Sequence, residues 1–239
     1  MRVLNRLFIT GDTHGEIDIK KLNSKNFPIQ KELNKEDIVI IAGDFGFPWV
    51  EGESPEDKWW LNWYNSKNFT TIYVDGNHEN FNAINEYESV KFHGADCHNF
   101  RDSVYHVKRG EILNINGLKI MCMGGATSTD KEHRKEFISW WKEEEPNYEE
   151  WERAFSNINY ADIIISHDGP YSVVKELSDN IEENPVNKMF DLLLEKIVKD
   201  KLNIKSWYLG HHHIDKIIKK DNINFNVLYN KVVEIRGPI

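Results

Sequence analysis

Cysteine is scarce. Cys97 and Cys122 are the only two in 239 residues, too few for a disulfide framework, and a reducing compartment is the expectation. Long apolar runs are missing as well: none approaches the ~18 residues of a membrane span, and the apolar start at Val3-Leu4 is broken by Asn5-Arg6 before it meets Gly11-Asp12. No secretory leader is read there, so the expected setting is cytoplasmic, without a membrane partner. Positive charge is in deficit. Thirty Lys+Arg against 39 Asp+Glu give a net charge of −9, which argues against gripping polyanionic nucleic acid as the main task, although a local basic patch stays open. Internal repeats and low-complexity segments are lacking too. What is present, 40% hydrophobic and 29% charged residues, excludes a disordered or fibrous chain. A chain of this length buries enough core to need no staple. One domain over 1–239, with a polar, charged excursion of helical pattern at about 127–159, is the expected organisation.

Short β-branched and aromatic runs recur: Leu7-Phe8-Ile9, Ile38 to Ala42, Thr71 to Val74, Ile163 to Ile165 and Trp207 to Leu209. Apolar on both faces, they read as strands of a sheet covered by helices. Each runs into a loop, and open α/β sheets place ligands at the carboxyl ends of their strands. Val104–Val107, Glu111–Ile115 and Leu118–Met123 read as a β-meander, with a hairpin turn at Asn116-Gly117. Ser54-Pro55-Glu56-Asp57 and Asn184-Pro185 open helices. The stripe Trp59, Trp60, Trp63, Tyr64 on the first and Val186, Met189, Phe190, Leu193, Leu194, Ile197 on the second read as core-facing.

The chemistry-bearing residues cluster just past the strands: Asp12-Thr13-His14, Asp44, Asn77-His78, His167 and His211-His212-His213. Residues i and i+2 of an extended segment share a side, which pairs Asp12 with His14 and His211 with His213 and turns His212 away. Imidazole, carboxylate and amide oxygen together suit Mn²⁺, Fe or Zn²⁺ better than Ca²⁺ or Mg²⁺. Seven such donors exceed one four-coordinate site and match two cations sharing a carboxylate.

The ordered blocks Gly11-Asp12-Thr13-His14-Gly15, Gly43-Asp44, Gly76-Asn77-His78-Glu79, Ser166-His167 and Gly210-His211-His212-His213 resemble the calcineurin-like metallophosphoesterase superfamily. The resemblance implies an α/β fold, a two-sheet β-sandwich flanked by helices, with a dinuclear metal site on strand-end loops. It implies that Asp12, His14 and His213 hold one metal, that Asn77, His167 and His211 hold the other, and that Asp44 bridges. His78 is then the catalytic residue beside the scissile phosphate. The implied cofactors are two divalent ions, Mn²⁺ ahead of Fe or Zn²⁺. The implied reaction is hydrolysis of a phosphate mono- or diester, with a metal-bridging hydroxide as nucleophile.

The chain departs from the Ser/Thr protein phosphatase branch of that superfamily, whose middle block reads G-D-x-V-D-R-G. Here Phe47 stands where that branch has the Asp that pairs with the catalytic histidine, Pro48 where it has Arg, and Asp75 where it has the Arg before Gly76. Losing two guanidinium forks removes that branch's phosphate grip, so a protein phosphatase is the lesser alternative. Lys131 and Arg134 in the excursion are the candidate substrate-binding residues. With His133, Lys135, Trp140 and Trp141 they read either as a phosphate- and base-binding surface or as a solvated face beside a core-facing Trp. Asp75 and Glu79 read either as groups orienting ligand histidines or as loop polar residues. His93, His98 and His106 read as structural or surface. Two further alternatives are a nuclease or phosphodiesterase with nucleic acid as substrate, and a silent scaffold of the same fold.

Overall fold

The computed structural model describes residues 5–235. In chain order, β1 (Leu7–Thr10), β2 (Ile38–Ala42), β3 (Thr70–Val74), β4 (Ser89–Phe92), β5 (Ala95–Arg101) and β6 (Val104–Val107) build one sheet. β7 (Ile112–Ile115), β8 (Leu118–Met123), β9 (Ile163–Ser166), β10 (Ser206–Leu209), β11 (Lys216–Lys220) and β12 (Ile223–Val227) build a second, and β13 (Val233–Ile235) returns to the first. The strand orders are β13-β1-β2-β3-β6-β5-β4 and β11-β12-β10-β9-β8-β7. β1, β2 and β3 run parallel at the centre of one sheet, and β8, β9 and β10 at the centre of the other.

Alternate side chains of each central strand enter different cores, which is why these strands are apolar on both faces. Leu7, Ile9, Ile38, Ile40, Ile72 and Val74 meet Ile120, Cys122, Ile163 and Ile165 between the sheets. Phe8, Val39, Ile41 and Tyr73 face outward onto Leu61 and Tyr64 of α1 (Pro55–Asn65). On the far side Met121, Met123, Ile164, Trp207 and Phe225 pack against α3 (Tyr148–Asn157) and α5 (Pro185–Lys199). Two short helices, α2 (Phe81–Ile84) and α4 (Tyr171–Val174), complete the α/β set. The expected helix–sheet–sheet–helix sandwich is the observed one.

The helix starts behave as their sequences require. Ser54 and Asp57 form a capping box, and Asn184 accepts from the Asn187 amide. Asp57 does more than cap: it is buried and also accepts from the Trp49 and Val50 amides, 2.7 and 3.2 Å away.

Three local expectations need correcting. The meander is split, because β6 pairs in the first sheet while β7 and β8 form a hairpin in the second. The chain crosses between sheets at 108–111, where buried Arg109 is held by the Asp75 carboxylate. The hairpin turn itself follows the Asn-Gly signal, with φ of 54° and 84° at Asn116 and Gly117. On α1 the buried hydrophobic positions are Leu61 and Tyr64, whereas Trp59 is 58% exposed. Within 127–159 only Tyr148–Asn157 is α-helical, and the earlier part has single turns at Lys131–His133 and Lys142–Glu144. Charge there mimics a helical pattern, but Trp141 and Glu144 are drawn into the interior and break the turn-by-turn register.

Candidate metal centre

Five loops leave the carboxyl ends of β1, β2, β3, β9 and β10, and the face-to-face sheets bring them to one end of the sandwich. Three overlapping sets of donor atoms gather there, each within 4.8 Å: Asp12, His14 and His213; His14, Asp44 and His78; and Asp44, His167 and His211. Asn77 completes the picture, its Oδ1 lying 3.2 Å from His167 Nε2.

The approach is close enough to demand glycine. A Cβ on Gly76 would fall 2.0 Å from Asp44 Oδ1, and one on Gly210 would fall 2.2 Å from Asp12 Oδ1. Four candidate donors, His14, Asp44, His211 and His213, have φ between 42° and 65°. Non-glycine residues enter that left-handed region at a cost, and such strain collects at functional sites. His211 and His213 both reach the site, as expected, but the segment is bent rather than extended and the two rings join different donor sets. His212 turns away as expected, with its Nε2 3.1 Å from Asp168 Oδ1.

The donor set fits bound cations. His167 Nδ1 is 2.9 Å from the Ala42 carbonyl and donates to it, so Nε2 faces Asn77 Oδ1 at 3.2 Å and Asp44 Oδ1 at 3.3 Å. Three acceptor-rich atoms meet at a point that needs positive charge. Asp12 Oδ2 is buried with no hydrogen bond satisfying it, although His213 Nε2 stands 3.2 Å away. Burial opposes a charged His167 ring, yet Asp44 and Asp12 outweigh it and lift its pKa to about 10. Burial likewise opposes a charged His14, and Asp44 and Asp12 raise it to about 9. The buried carboxylates thus attract cationic charge strongly, and a metal entering the site takes the place of those protons.

Supporting residues invisible to the motif orient the donors. His14 Nδ1 is 2.7 Å from Asp18 Oδ2, and Asp18 Oδ1 accepts from the Tyr229 hydroxyl, whose ring stacks on His213. Asn77 Nδ2 donates to Ser128 Oγ, which donates to Glu144 Oε2 at 2.6 Å, leaving the Asn77 oxygen toward the donors. Buried Lys21 donates to the carbonyls of Gly11, Asp12 and Tyr229. The i,i+4 spacing of His14 and Asp18 is a signal that could have found one of these; nothing in the sequence announces Lys21 or the Ser128–Glu144 pair.

Glu79 is buried and accepts from the Phe45 and Gly46 amides at 2.8 and 3.1 Å, so it fixes the loop carrying Asp44 rather than a histidine ring. Burial and the nearby Asp44 raise its pKa to about 8. Asp75 also orients no donor histidine; it pairs with Arg109, and its Oδ1 is 3.0 Å from His106 Nε2. Arg134 reaches the site, with its guanidinium nitrogens 3.0 and 3.3 Å from the His78 ring nitrogens. Lys131 is exposed, and Trp141 is buried edge-on to Trp49, out of reach of a stacking base.

The Asp75 network carries a stability prediction. His98 is buried with its Nδ1 3.0 Å from His106 Nδ1, and burial followed by the charge of His106 lowers its pKa from 6.5 to about 3. Below pH 6.5 the unfolded ring takes a proton that the folded ring refuses. Stability attributable to His98 is therefore complete above that value and falls as the pH drops toward 3. At pH 5 the loss is about 1–2 kcal/mol. Urea unfolding at pH 7 and pH 5 should show His98→Gln losing less stability on acidification than the parent by that amount.

A family model described as calcineurin-like phosphoesterase matches residues 6–215. The lariat debranching enzyme of Schizosaccharomyces pombe is 30% identical over 135 residues, covering 52% of this chain and 26% of that protein. The chain thus spans about a quarter of the length of this curated relative. Among solved structures, a Staphylococcus aureus protein described as a candidate 5′-nucleotidase superposes with a TM-score of 0.51 at 16% identity, over 95% of this chain and 49% of that one. GAP50, described as the anchor in the inner membrane complex of Plasmodium, does so with a TM-score of 0.55 at 14% identity, over 95% and 72%. At these identities the two structures speak for the fold.

Proposed function

The chain belongs to the calcineurin-like phosphoesterase family, and we propose that it is a hydrolase of phosphoric esters working with two divalent cations. The observation that carries this reading is the overlap of the donor sets, which share His14 and Asp44. Asp12, His14 and His213 would hold one cation and Asn77, His167 and His211 the other, with Asp44 available to both. When bound, the pair supplies charge to the phosphate oxygens and activates water for in-line attack on phosphorus. Mn²⁺ is the leading occupant, with Fe or Zn²⁺ as alternatives, on the mixed donor chemistry.

The chain's own groups then divide the remaining work. Glu79, Asp18, Ser128 and Lys21 hold the loops and donors in place. His78 stands at the edge of the donor sets, its backbone amide donating to Asp44 Oδ1 at 2.9 Å. Burial lowers the pKa of its ring, and neighbouring Arg134 adds to the effect. It holds a proton at the leaving oxygen or stabilises charge there, and Arg134 beside it binds a phosphate oxygen. A nucleic-acid phosphodiester is the second reading, supported by the similarity to a lariat debranching enzyme and opposed by the net charge of −9.

The test is to strip the protein of metal and reload it with Mn²⁺, Fe²⁺ or Zn²⁺, assaying an aryl phosphate against its bis-aryl diester. Metal-restored turnover is expected. A bias to the diester favours a phosphodiesterase, and oligonucleotide binding that weakens steeply with salt then selects the nucleic-acid reading. Turnover indifferent to metal refutes the proposal.

A further inference from the structure

A cavity of about 380 Å³ opens beside the donor sets and shares His14 and His78 with them. Its size lies toward the lower end of ligand pockets, which run ~300–1,000 Å³. Phe47, Trp49, Ile17 and Val50 give it apolar walls, and none of the described residues that line it is Lys or Arg. Ile17 and Val50 are 72% and 47% exposed, so the apolar surface is open to an arriving molecule.

The wall is built rather than incidental. The Trp49 amide donates to Asp57 Oδ1 at 2.7 Å, and its carbonyl accepts from Asn80 Nδ2 at 2.8 Å, both partners being buried. Its indole stands edge-on to buried Trp141, with ring centroids 5.6 Å apart. The Phe47 ring is stacked on Trp60 at 5.7 Å. Both rings are therefore positioned before anything binds, which spares the ordering cost of recognition. The rim carries Glu16 and Glu56, both exposed and with no Lys or Arg beside them in the lining. The Asp57 carboxylate is already engaged by three backbone amides. A second phosphate entering here meets like charge, whereas a flat, uncharged ring meets indole, phenyl and aliphatic surface.

We propose that this pocket takes a planar aromatic group carried by the phosphoester, a nucleobase or a simple aryl, and so sets the enzyme's preference among esters. The proposal rests on the phosphoesterase reading of the adjoining site. Phe47, which replaces an acidic residue in the resemblance to the protein phosphatase branch, is then a gain of substrate contact.

The experiment has two arms. In the first, benzyl phosphate is compared with ethyl phosphate, two esters whose leaving alcohols have similar acidity. The expected result is a preference for the benzyl ester of about tenfold in kcat/KM, carried by KM, as befits one stacked ring. Trp49→Ala brings the ratio close to one, and Trp49→Phe restores most of it. In the second arm, adenosine and benzyl alcohol, which contain no phosphate, are titrated calorimetrically into the metal-loaded wild-type protein. At least one should bind, about tenfold more weakly once Trp49→Ala is added; tighter adenosine points to a nucleobase and tighter benzyl alcohol to a small aryl. Equal use of both esters by the wild type overturns the proposal, as does binding unmoved by Trp49→Ala or absent for both probes. If neither these monoesters nor the bis-aryl diester is hydrolysed under any metal, the phosphoesterase reading fails and the binding arm alone decides the pocket.

Discussion

Asp44→Asn should lower kcat/KM by about 10³-fold or more and strip the protein of both proposed cations, because its two oxygens reach one member of each proposed ligand set, His14 and His167. The expectation follows from its surroundings. Oδ2 lies 3.1 Å from His14 Nε2, Oδ1 lies 3.3 Å from His167 Nε2, and Oδ1 also accepts from the His78 amide at 2.9 Å. The carboxylate is buried, which by itself favours the neutral acid, yet His167 and His14 hold its pKa well below the usual carboxylate range. An amide of the same shape keeps the packing and removes the charge. Metal analysis and steady-state kinetics on the same sample check it: loss of turnover with full metal content would contradict a shared ligand.

His78→Ala separates chemistry from metal binding. About 10²–10⁴-fold should be lost from kcat, the range for one positioned proton-transfer group, while metal content stays at the wild-type level. His78 is partly buried, its ring 5.4 Å from that of His14 between centroids, with the Arg134 guanidinium at its other side. Although its ring nitrogen lies within 4.8 Å of donor atoms of His14 and Asp44, the family resemblance implies a role beside the phosphate, and that is the role proposed for it. Measured metal content in the variant distinguishes the two roles: a missing cation means that His78 is a ligand, and a full complement with slow turnover means that it acts on the substrate.

Much of this is legible in the sequence. Strand ends were marked by runs such as Ile38–Ala42 stopping at Gly43-Asp44, and parallel strands of a layered sandwich can bring such ends together. The local rule fared worse than the motif. Period-two logic put His211 and His213 on one side, and the left-handed φ at both residues separates them into different sets. The supporting partners were illegible because their contacts are long-range: Lys21 reaches the Tyr229 carbonyl, and Ser128 reaches Asn77 across 51 positions. The aromatic pocket was hidden for the same reason, since nothing adjacent in sequence says that Trp141 braces Trp49. The polar excursion misled only in part: buried Trp141 answers the reading of a core-facing Trp, but its charge pattern suggested more helix than Tyr148–Asn157, and Glu144 is buried.

The most direct test of the account is a count of metal ions per chain. Purified protein is equilibrated with Mn²⁺ by dialysis and analysed by mass spectrometry of the eluted metal, alongside the His213→Ala and His211→Ala variants. The account predicts two ions per chain in the wild type and one in each variant, His213→Ala emptying the Asp12–His14 side and His211→Ala the Asn77–His167 side. A single ion in the wild type, or variants that both keep two, would contradict it.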